Sequence, residues 1–383
     1  MDDWRTGTLR DVAAPRGLIG GPFGSSLGGK DYVPAGVPVI RGANLGSQGY
    51  FDTAELVFVT PEKARKLSGN QARPGDVVFT QRGTLGQVGI VPGQYESYVI
   101  SQSQMRLRVD PARADPRFVY YQFRSRAMVD TIRNSAITTG VPHINLGILA
   151  ALPIVIPPLR DQVAIAEVLG ALDEKIAANE ATAQTAHDLV AAEFARASAE
   201  AIRPGRSGRP QSLGEILDLA YGKALPARLR RPGEVPVFGS GGRVGRHDTA
   251  LVPGPGVIVG RKGTVGSVHW CAEDFFPIDT TYYVRIKGKN ISFAYAYHML
   301  LNLGLDRMNQ DSAVPGLNRS HALALPVLLP PAHVIEEFTQ RARPLFALRE
   351  RLAEENATLS ELRDYLLPRF LARNITIGEI RRP

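Results

Sequence analysis

Hydrophobic and polar positions follow two different periodicities along the chain. Apolar segments rich in β-branched residues, DVVFT at 76–80 and VIVG at 257–260, are bounded by glycine and predict buried strands. Segments 99–109 (VISQSQMRLRV) and 278–287 (IDTTYYVRIK) alternate between polar and apolar residues, which also predicts strands. PRFVYYQFRS at 116–125 predicts a short helix, as does SFAYAYHMLLN. These regions therefore predict an α+β fold in which strands and loops dominate.

Two long stretches follow a helical periodicity instead. Residues 161–200 contain no proline and one glycine, and apolar residues recur there at steps of three and four, as they do between 345 and 366. Such a repeat predicts a coiled-coil seam, with helices of ~40 residues that are about 60 Å long. The predicted interface consists of Ile165, Leu169 (or Val168), Leu172, Ile176, Val190, Leu345, Leu352, Leu359, Leu362 and Leu366.

We expect the two long helices to pair with each other as an antiparallel coiled coil. Asn179 falls on a seam position, where a polar residue would help to fix the register. Pro344 should kink the second helix or delay its regular part. Two unrelated surface helices would be the alternative explanation of the same periodicity.

An internal repeat relates the two halves of the chain. LPIVIPPL at 152–159 returns as LPVLLPPA at 325–332, and an asparagine precedes each string by seven residues. The strings end in prolines directly before the long helices, which suggests a rigid stop between each globular domain and its helix. Further correspondences occur in the same order: TLRDVA with SLGEIL, VPVIRG with VPVFGS, and GDVVFTQRGTLGQVG with GVIVGRKGTVGSVHW.

The repeat predicts a duplication, in which two similar globular domains each end in a long helix. We place the first domain at 1–158, its helix at 159–203, the second domain at 204–331 and its helix at 332–375. A short tail, 376–383, completes the chain.

The charge is unevenly distributed along this arrangement. The chain of 383 residues carries +8, whereas 161–200 carries −6 and 334–372 carries −1, so the remainder carries +15. Basic domains joined by acidic to neutral helices suggest that the domains contact a polyanion and the helices contact protein. A basic surface without a specific partner is the alternative.

Several polar loops carry side chains that can contact nucleic acid. Arginine pairs with guanine edges or phosphates, and glutamine with adenine edges. A basic residue precedes a glycine at the end of a buried strand in both copies, at Arg82 and at Lys262. The candidate DNA-binding residues are Ser25, Ser26, Lys30, Arg41, Gln81, Arg82, Thr84, Gln102, Gln104, His143 and Asn145 in the first copy, and Lys223, Arg261, Lys262, Thr264, Thr280, Asn318 and Arg319 in the second.

Other classes of function find little support in the sequence. GSSLGGK at 24–30 resembles a phosphate-binding loop, but Asp31 stands where a hydroxyl should bind Mg²⁺. FGSGG at 238–242 resembles a glycine loop for S-adenosylmethionine, yet no [DNS]-P-P-[YF] string accompanies it. We predict no catalytic residue and no metal site. The start lacks a signal pattern, no segment reaches the ~20 apolar residues of a membrane span, and Cys271 is the single cysteine. These features predict a cytoplasmic protein.

Over essentially its whole length the chain resembles the specificity subunit of type I restriction–modification enzymes. The resemblance rests on VPHINLGILAALPIVIPPLRDQVAIAEVLGALDEKI, on its counterpart VPGLNRSHALALPVLLPPAHVIEEF, and on the paired DVVFTQRGT and VIVGRKGT strands. The second copy departs from the family pattern because AHVIEEF lacks the usual acidic–glutamine step.

The resemblance implies a non-catalytic subunit with two target-recognition domains. Each domain would read one half of a bipartite DNA site, and the helices would act as a ruler that sets the unspecified gap. Two modification subunits would dock on the helices and supply S-adenosylmethionine and adenine methylation. Restriction subunits, which bind ATP and Mg²⁺, can join such complexes. Two alternatives remain open: a stand-alone DNA methyltransferase with its own recognition domains, and a coiled-coil scaffold whose heads do not bind DNA.

Overall fold

The computed structural model describes residues 4–46, 50–202, 210–288, 291–309 and 316–375. The predicted tail at 376–383 and the predicted boundary at 203/204 lie outside the described residues. Contacts divide the chain into unit 1, Met1–Asn179 with Glu355–Pro383, and unit 2, Glu180–Glu354. Each long helix therefore contributes one segment to each unit. No helix in the described part of the chain is long and apolar enough to cross a membrane.

Unit 1 contains two four-stranded sheets and a two-stranded pair. One sheet has the antiparallel order β2-β9-β6-β7, and the other has the order β4-β3-β8-β5, in which β3 and β8 run parallel. The strands are β1 (Arg5–Thr8), β2 (Ala13–Gly20), β3 (Val37–Ile40), β4 (Val57–Val59), β5 (Gln71–Ala72), β6 (Val77–Thr80), β7 (Val88–Ile90), β8 (Tyr98–Ile100), β9 (Gln104–Val109) and β10 (Pro153–Ile156). The helices are α1 (Pro61–Lys66), α2 (Pro116–Arg124), α3 (Arg126–Asn134), α4 (Leu146–Ala151) and the first half of α5 (Leu159–Ala199).

Unit 2 repeats this arrangement with shorter connections. Its sheets have the orders β12-β18-β15-β16 and β14-β13-β17, and β11 pairs with β19. The strands are β11 (Gln211–Ser212), β12 (Leu217–Tyr221), β13 (Val235–Gly239), β14 (Gly242–His247), β15 (Gly256–Gly260), β16 (Val268–Cys271), β17 (Phe276–Pro277), β18 (Thr281–Ile286) and β19 (Pro326–Val327). The helices are α6 (Leu213–Ile216), α7 (Phe293–Asn302), α8 (Arg319–Leu323) and α9 (Ala332–Leu371). The predicted α+β duplication with long helices is confirmed.

The same hydrogen bonds between backbone groups recur in both units and define which residues are equivalent. They are Gly21 N–H to Gln104 O (2.9 Å) and Gly222 N–H to Thr281 O (3.1 Å); Gln81 N–H to Ser103 O (2.7 Å) and Arg261 N–H to Thr280 O (2.9 Å); and Ile144 N–H to Gln81 O (3.0 Å) and Leu317 N–H to Arg261 O (2.9 Å). Gln81 thus corresponds to Arg261, and Arg82 to Lys262.

The two proline strings that reveal the repeat have a structural role in each unit. Each begins as a short strand, β10 or β19, which pairs antiparallel with the first strand of its own unit. The prolines then stand directly before α5 and α9, where a missing N–H is no loss. Each proline string therefore pairs the end of its domain with the first strand of the same domain, and it also marks where the domain ends.

In unit 1 the two long helices pair antiparallel, as predicted. Ile165, Leu169 and Ile176 of α5 are buried, as is Leu366 of α9, while Leu172 and Leu359 are half-buried. Asn179 is 3 % exposed, and its Nδ2 donates to Asn356 Oδ1 at 2.8 Å and to Glu355 Oε2 at 3.1 Å. Because amide pairs of this kind are satisfied in one alignment only, Asn179 fixes the register.

In unit 2 the same helices continue to pair in the same sense. Val190 is fully buried in a core that includes Phe194 and Phe338, and Leu352 is also buried, while Leu345 is half-buried against the core. Arg341 contacts Glu193 at 3.4 Å across the pair. The alternative of two unrelated surface helices is therefore excluded within each unit.

The structure contradicts the prediction for Leu362 and one of the two effects predicted for Pro344, a delayed helix; the predicted kink stays a prediction. Leu362 is 43 % exposed and lies outside the seam, because the neighbouring Arg363 occupies the seam position and forms an ion pair with Asp173 at 2.7 Å. Pro344 does not delay the helix, which begins at Ala332 and continues through Pro344 without interruption.

Candidate nucleic-acid interface

A cleft of about 460 Å³ in unit 1 brings together side chains that are far apart in the sequence. Four segments line it, 20–24, 81–82, 102 and 145–147. Four of the predicted DNA-binding residues, Gln81, Arg82, Gln102 and Asn145, lie on its walls. The sequence predicted these residues one by one, and the structure places them on one surface.

The turn after β6 carries the cation of this cleft. Gln81 is held on both sides, because its N–H donates to Ser103 O and its carbonyl accepts from Ile144 N–H. Arg82 and Thr84 follow on an exposed turn in which Gly83 has a φ of +99°, a conformation that favours glycine. A strand end held by backbone hydrogen bonds therefore presents an exposed arginine side chain to solvent.

Other predicted residues of unit 1 surround the cleft. Gln102 is exposed and its Nε2 donates to Leu27 O at 3.3 Å. Ser25, Ser26 and Lys30 lie on the exposed loop after β2. This loop is anchored by Asp31, whose carboxylate accepts a hydrogen bond from Lys63 at 2.8 Å, a contact that lowers the pKa of Asp31.

Asn145 and Asn318 share a structural role that explains their repeated position. Each is the N-cap of a short helix: Asn145 Oδ1 accepts from Ile148 N–H at 2.8 Å, and Asn318 Oδ1 accepts from His321 N–H at 3.1 Å. Both side chains remain exposed. Contact with DNA stays a prediction for these two residues, in addition to capping.

Three predicted residues of unit 1 are engaged within the protein. Gln104 is 1 % exposed, and its Oε1 accepts from Ser101 Oγ, so it belongs to the core and cannot reach DNA in this conformation. Arg41 is half-buried and donates to Glu55 O at 2.7 Å. His143 is also half-buried, and its Nδ1 lies 3.1 Å from Val141 O. The prediction for Gln104 is therefore wrong, because its position in β9 faces inward.

Unit 2 presents the equivalent turn after β15. Thr280 O accepts hydrogen bonds from the N–H groups of both Arg261 and Lys262. Lys262 and Thr264 are exposed, whereas Arg261 is half-buried, with its guanidinium carbon 5.4 Å from the centre of the Tyr221 ring. The cation at the tip is thus preserved, and the residue before it changes from Gln81 to Arg261.

The remaining predicted residues of unit 2 differ in availability. Lys223 is exposed, and its N–H donates to Pro277 O at 3.1 Å. Arg319 is committed to the domain, because its Nε donates to Leu219 O at 2.8 Å and its Nη2 forms an ion pair with Asp218. Arg319 therefore holds β12 against α8, and its predicted DNA contact would require breaking this pair.

Ion pairing separates two groups of surface cations. Within the described residues, no carboxylate pairs with Arg82, Lys223 or Lys262. By contrast, Arg231 pairs with Asp248 at 2.6 Å, and Arg246 pairs with Glu234. Arg82, Lys223 and Lys262 therefore remain available to an anionic partner.

Sequence reasoning missed two exposed aromatic residues on these surfaces. Phe23 is 93 % exposed on the rim of the unit 1 cleft, and Tyr221 is 56 % exposed beside Arg261. Phe23 and Tyr221 both lie where a strand runs into a loop. No periodic pattern in the sequence therefore marks them as exposed. Among the described residues, no group of three or more His, Cys, Asp and Glu side chains could hold a metal ion.

Comparisons with known proteins agree with this arrangement. The sequence profile of the type I restriction modification DNA specificity domain matches residues 1–186 and again residues 210–352. No curated protein matches the chain. A crystal structure of a type I restriction–modification system S subunit from M. genitalium shares the fold, with a TM-score of 0.65 and 19 % identity over 97 % of this chain and 96 % of the other.

A second similar structure is the HsdS subunit from Thermoanaerobacter tengcongensis, with 18 % identity over 96 % of each chain and a TM-score of 0.37. The profile matches cover most of the 383 residues and fall on the two repeated units. The chain therefore belongs to the family of type I restriction–modification DNA specificity proteins.

Proposed function

We propose that this chain is the non-catalytic DNA-recognition subunit of a type I restriction–modification complex, and that it reads a bipartite site with one half per unit. The observation that carries the proposal is the pair of equivalent strand-end turns. Each presents an exposed cation without an acidic partner among the described residues, Arg82 in unit 1 and Lys262 in unit 2.

Differences between the two turns support different half-sites. Gln81 and Gln102 flank Arg82, whereas Arg261 and Asp279 occupy the equivalent places beside Lys262. Amide side chains pair with adenine edges, while arginine pairs with guanine and carboxylates accept from cytosine. The two units would therefore favour different bases on a common backbone scaffold.

The partners follow from the same assignment. Double-stranded DNA would lie on the turns after β6 and β15, and two modification subunits would dock on the long helices and carry S-adenosylmethionine. Restriction subunits, where the system includes them, would bring ATP and Mg²⁺, and the complex would act in the cytoplasm. In this proposal the chain itself holds no cofactor.

The long helices would set the gap between half-sites. An α-helix rises by 1.5 Å per residue, so one added heptad lengthens a helix by about 10 Å. Inserting one heptad into α5 and the facing heptad into α9 should change the preferred gap and leave both half-site sequences unchanged. An unchanged gap would exclude the ruler.

Selection from a randomised duplex library tests the proposal. The full chain is purified with its modification subunits, and bound duplexes are sequenced at several salt concentrations. The proposal predicts two short motifs at a fixed gap and an affinity that falls with salt. One uninterrupted motif would contradict recognition by both units. Absence of enrichment and of salt dependence would favour the scaffold, and binding of S-adenosylmethionine by the isolated chain would favour the methyltransferase.

A further inference from the structure

Phe23 is an exposed aromatic residue on the surface that we assign to DNA. Its side chain is 93 % exposed, more than any other exposed large hydrophobic residue in the described part of the chain. It lines the same cleft as Gln81, Arg82 and Gln102. At this place the phenyl ring is an apolar surface in contact with water, and a partner bound at the cleft would remove it from water.

The backbone around Phe23 is held in place by its surroundings. Gly21 N–H donates to Gln104 O at 2.9 Å, and a Cβ on Gly21 would lie 2.0 Å from Ser101 O, so this strand end packs tightly against β8 and β9. Pro22 is buried, and Phe23 O accepts from Ser26 N–H at 3.2 Å. Gly24 then turns the chain with a φ of +57°. The ring therefore projects outward from a fixed base.

The neighbours of Phe23 identify the chemistry of its partner. The exposed side chains beside it are polar or cationic, namely Arg82, Ser25 and Gln102. An apolar protein surface would leave these groups without hydrogen-bond partners, at a cost in free energy. A nucleic acid suits both kinds of group. The flat faces of its bases can pack against the phenyl ring, and its phosphates and base edges can pair with the polar and cationic side chains.

Unit 2 lacks this feature at the equivalent position. The hydrogen bonds of Gly21 and Gly222 align Pro22 with Lys223 and Phe23 with Ala224. The nearby Tyr221 packs edge-on against Tyr282, with ring centres 5.0 Å apart, and also contacts Arg261. Within the part of the chain that the structure describes, the exposed ring without an aromatic or cationic contact therefore belongs to the surface of unit 1.

We propose that Phe23 inserts between two base pairs of the half-site read by unit 1 and unstacks them. Apolar side chains that enter base steps kink the duplex and make affinity depend on how easily a step deforms. Phe23 would thus add recognition by DNA shape to the hydrogen bonds of the cleft. This inference rests on the proposed DNA-reading role of that cleft.

Fluorescence of 2-aminopurine tests the insertion in the full complex with modification subunits. The probe is placed at each position of the selected unit 1 half-site except the methylated adenine, because methyltransferases extrude their target base. Wild type should raise the fluorescence at one step. Phe23→Ala should abolish this signal and weaken binding about 10-fold or more, and Phe23→Trp should retain both. Leu229→Ala, at an exposed apolar residue of unit 2, serves as the matched control with unchanged signal and affinity.

Several outcomes would overturn the insertion. These are no step with raised fluorescence in wild type, the same signal in Phe23→Ala, or loss of the modification subunits from Phe23→Ala with normal stacking, which would identify a protein partner. The parallel variant Arg82→Ala separates this result from the proposed function. If Arg82→Ala weakens binding and Phe23→Ala does not, the cleft reads DNA without a wedge; if wild type binds no DNA, the proposed function itself fails.

Discussion

In each unit, one short helix packs against the coiled coil through a residue at the same position. The contact is a hydrogen bond in unit 1 and a ring stack in unit 2. Tyr121 and His298 each lie six residues after the N-cap of their helix, α2 or α7. In unit 1, Tyr121 Oη donates to Asp173 Oδ2 at 2.8 Å, and Asp173 also pairs with Arg363. In unit 2, His298 stacks on Phe194 at 5.7 Å between ring centres.

The polar junction of unit 1 is a closed network around one buried carboxylate. Asp173 is 5 % exposed and has two cationic partners, Arg363 at 2.7 Å and Arg124 at 3.5 Å. Tyr121 adds a hydrogen bond, and its own hydroxyl lies 2.7 Å from that of Tyr50. Burial and the nearby carboxylate raise the pKa of Tyr121, so its hydroxyl remains a donor.

The junction of unit 2 depends on ring packing instead. Phe194, Tyr295, His298 and Phe338 contact one another with ring centres between 5.0 and 6.1 Å apart. Such contacts are less directional than an ion pair and tolerate small shifts. Duplication has therefore kept the backbone arrangement while the interactions that hold it diverged, which predicts that the two units fail under different perturbations.

Two tryptophans allow each unit to be followed separately. The chain contains Trp4 in unit 1 and Trp270 in unit 2. Trp4 packs against the core of unit 1, and Trp270 packs on Phe346 with ring centres 4.5 Å apart. In a Trp270→Phe background the fluorescence reports unit 1, and in a Trp4→Phe background it reports unit 2.

The largest effect is expected from removing the buried carboxylate of unit 1. Asp173→Ala removes the buried carboxylate, leaves the half-buried Arg363 and Arg124 without this partner, and should lower the free energy of unfolding of unit 1 by about 3–5 kcal/mol. Urea unfolding followed by Trp4 fluorescence measures it. The neighbouring exposed Glu174→Ala is the control, with a change within about 0.5 kcal/mol. A loss below about 1 kcal/mol for Asp173→Ala would show that the network contributes little.

Acid should weaken unit 2 through His298. Burial, followed by the charges of His187 and Arg349, lowers the pKa of His298 from 6.5 to about 4. As pH falls through 6.5 the unfolded chain binds a proton that the folded one does not, so stability is lost between pH 6.5 and 4. The loss should reach about 3 kcal/mol.

The measurement compares wild type with His298→Phe by urea unfolding, with Trp270 as the reporter. Phenylalanine keeps the ring contacts with Phe194 and removes the titrating group. The variant should lose less stability than wild type between pH 7.5 and pH 4.5. Parallel pH profiles would show that His298 does not carry the acid sensitivity.

The smallest of these effects sharpens the account of register in unit 1. Asn179→Leu should lower the free energy of unfolding by about 1–3 kcal/mol, because the half-buried Asn356 loses its 2.8 Å partner. Adding Asn356→Leu should restore or exceed the stability of wild type, since an apolar seam is more stable and less specific. Additive losses in the two single variants and the double variant would argue against the pair.

The sequence predicts those parts of the molecule in which a residue pattern shows whether a position is buried or exposed. The strands of the central sheets and the two long helices follow periodic patterns, and the duplicated proline strings locate their junctions. The prediction that Leu362 lies on the seam is wrong because it takes every seam position to be apolar. An ion pair with the buried Asp173 places Arg363 there instead. That substitution depends on Asp173, which lies 190 residues away.

The candidate site shows the same limit. Loop composition identified Gln81, Arg82 and Gln102, and the fold brings them together. Gln104 lies two residues after Gln102, but β9 turns it inward, and strand registers at loop ends are not visible in composition. No sequence pattern identifies Phe23, because the property that distinguishes it is its exposure in the folded chain.

Selection of duplexes by two single variants tests the central claim most directly, namely that each unit reads its own half of one DNA site. Arg82→Ala and Lys262→Ala are purified with the modification subunits and assayed beside wild type. The account predicts that Arg82→Ala relaxes the sequence of one half-site and Lys262→Ala that of the other, with the gap unchanged. Loss from the same half-site in both variants, or an equal loss of affinity for every DNA sequence, would contradict it.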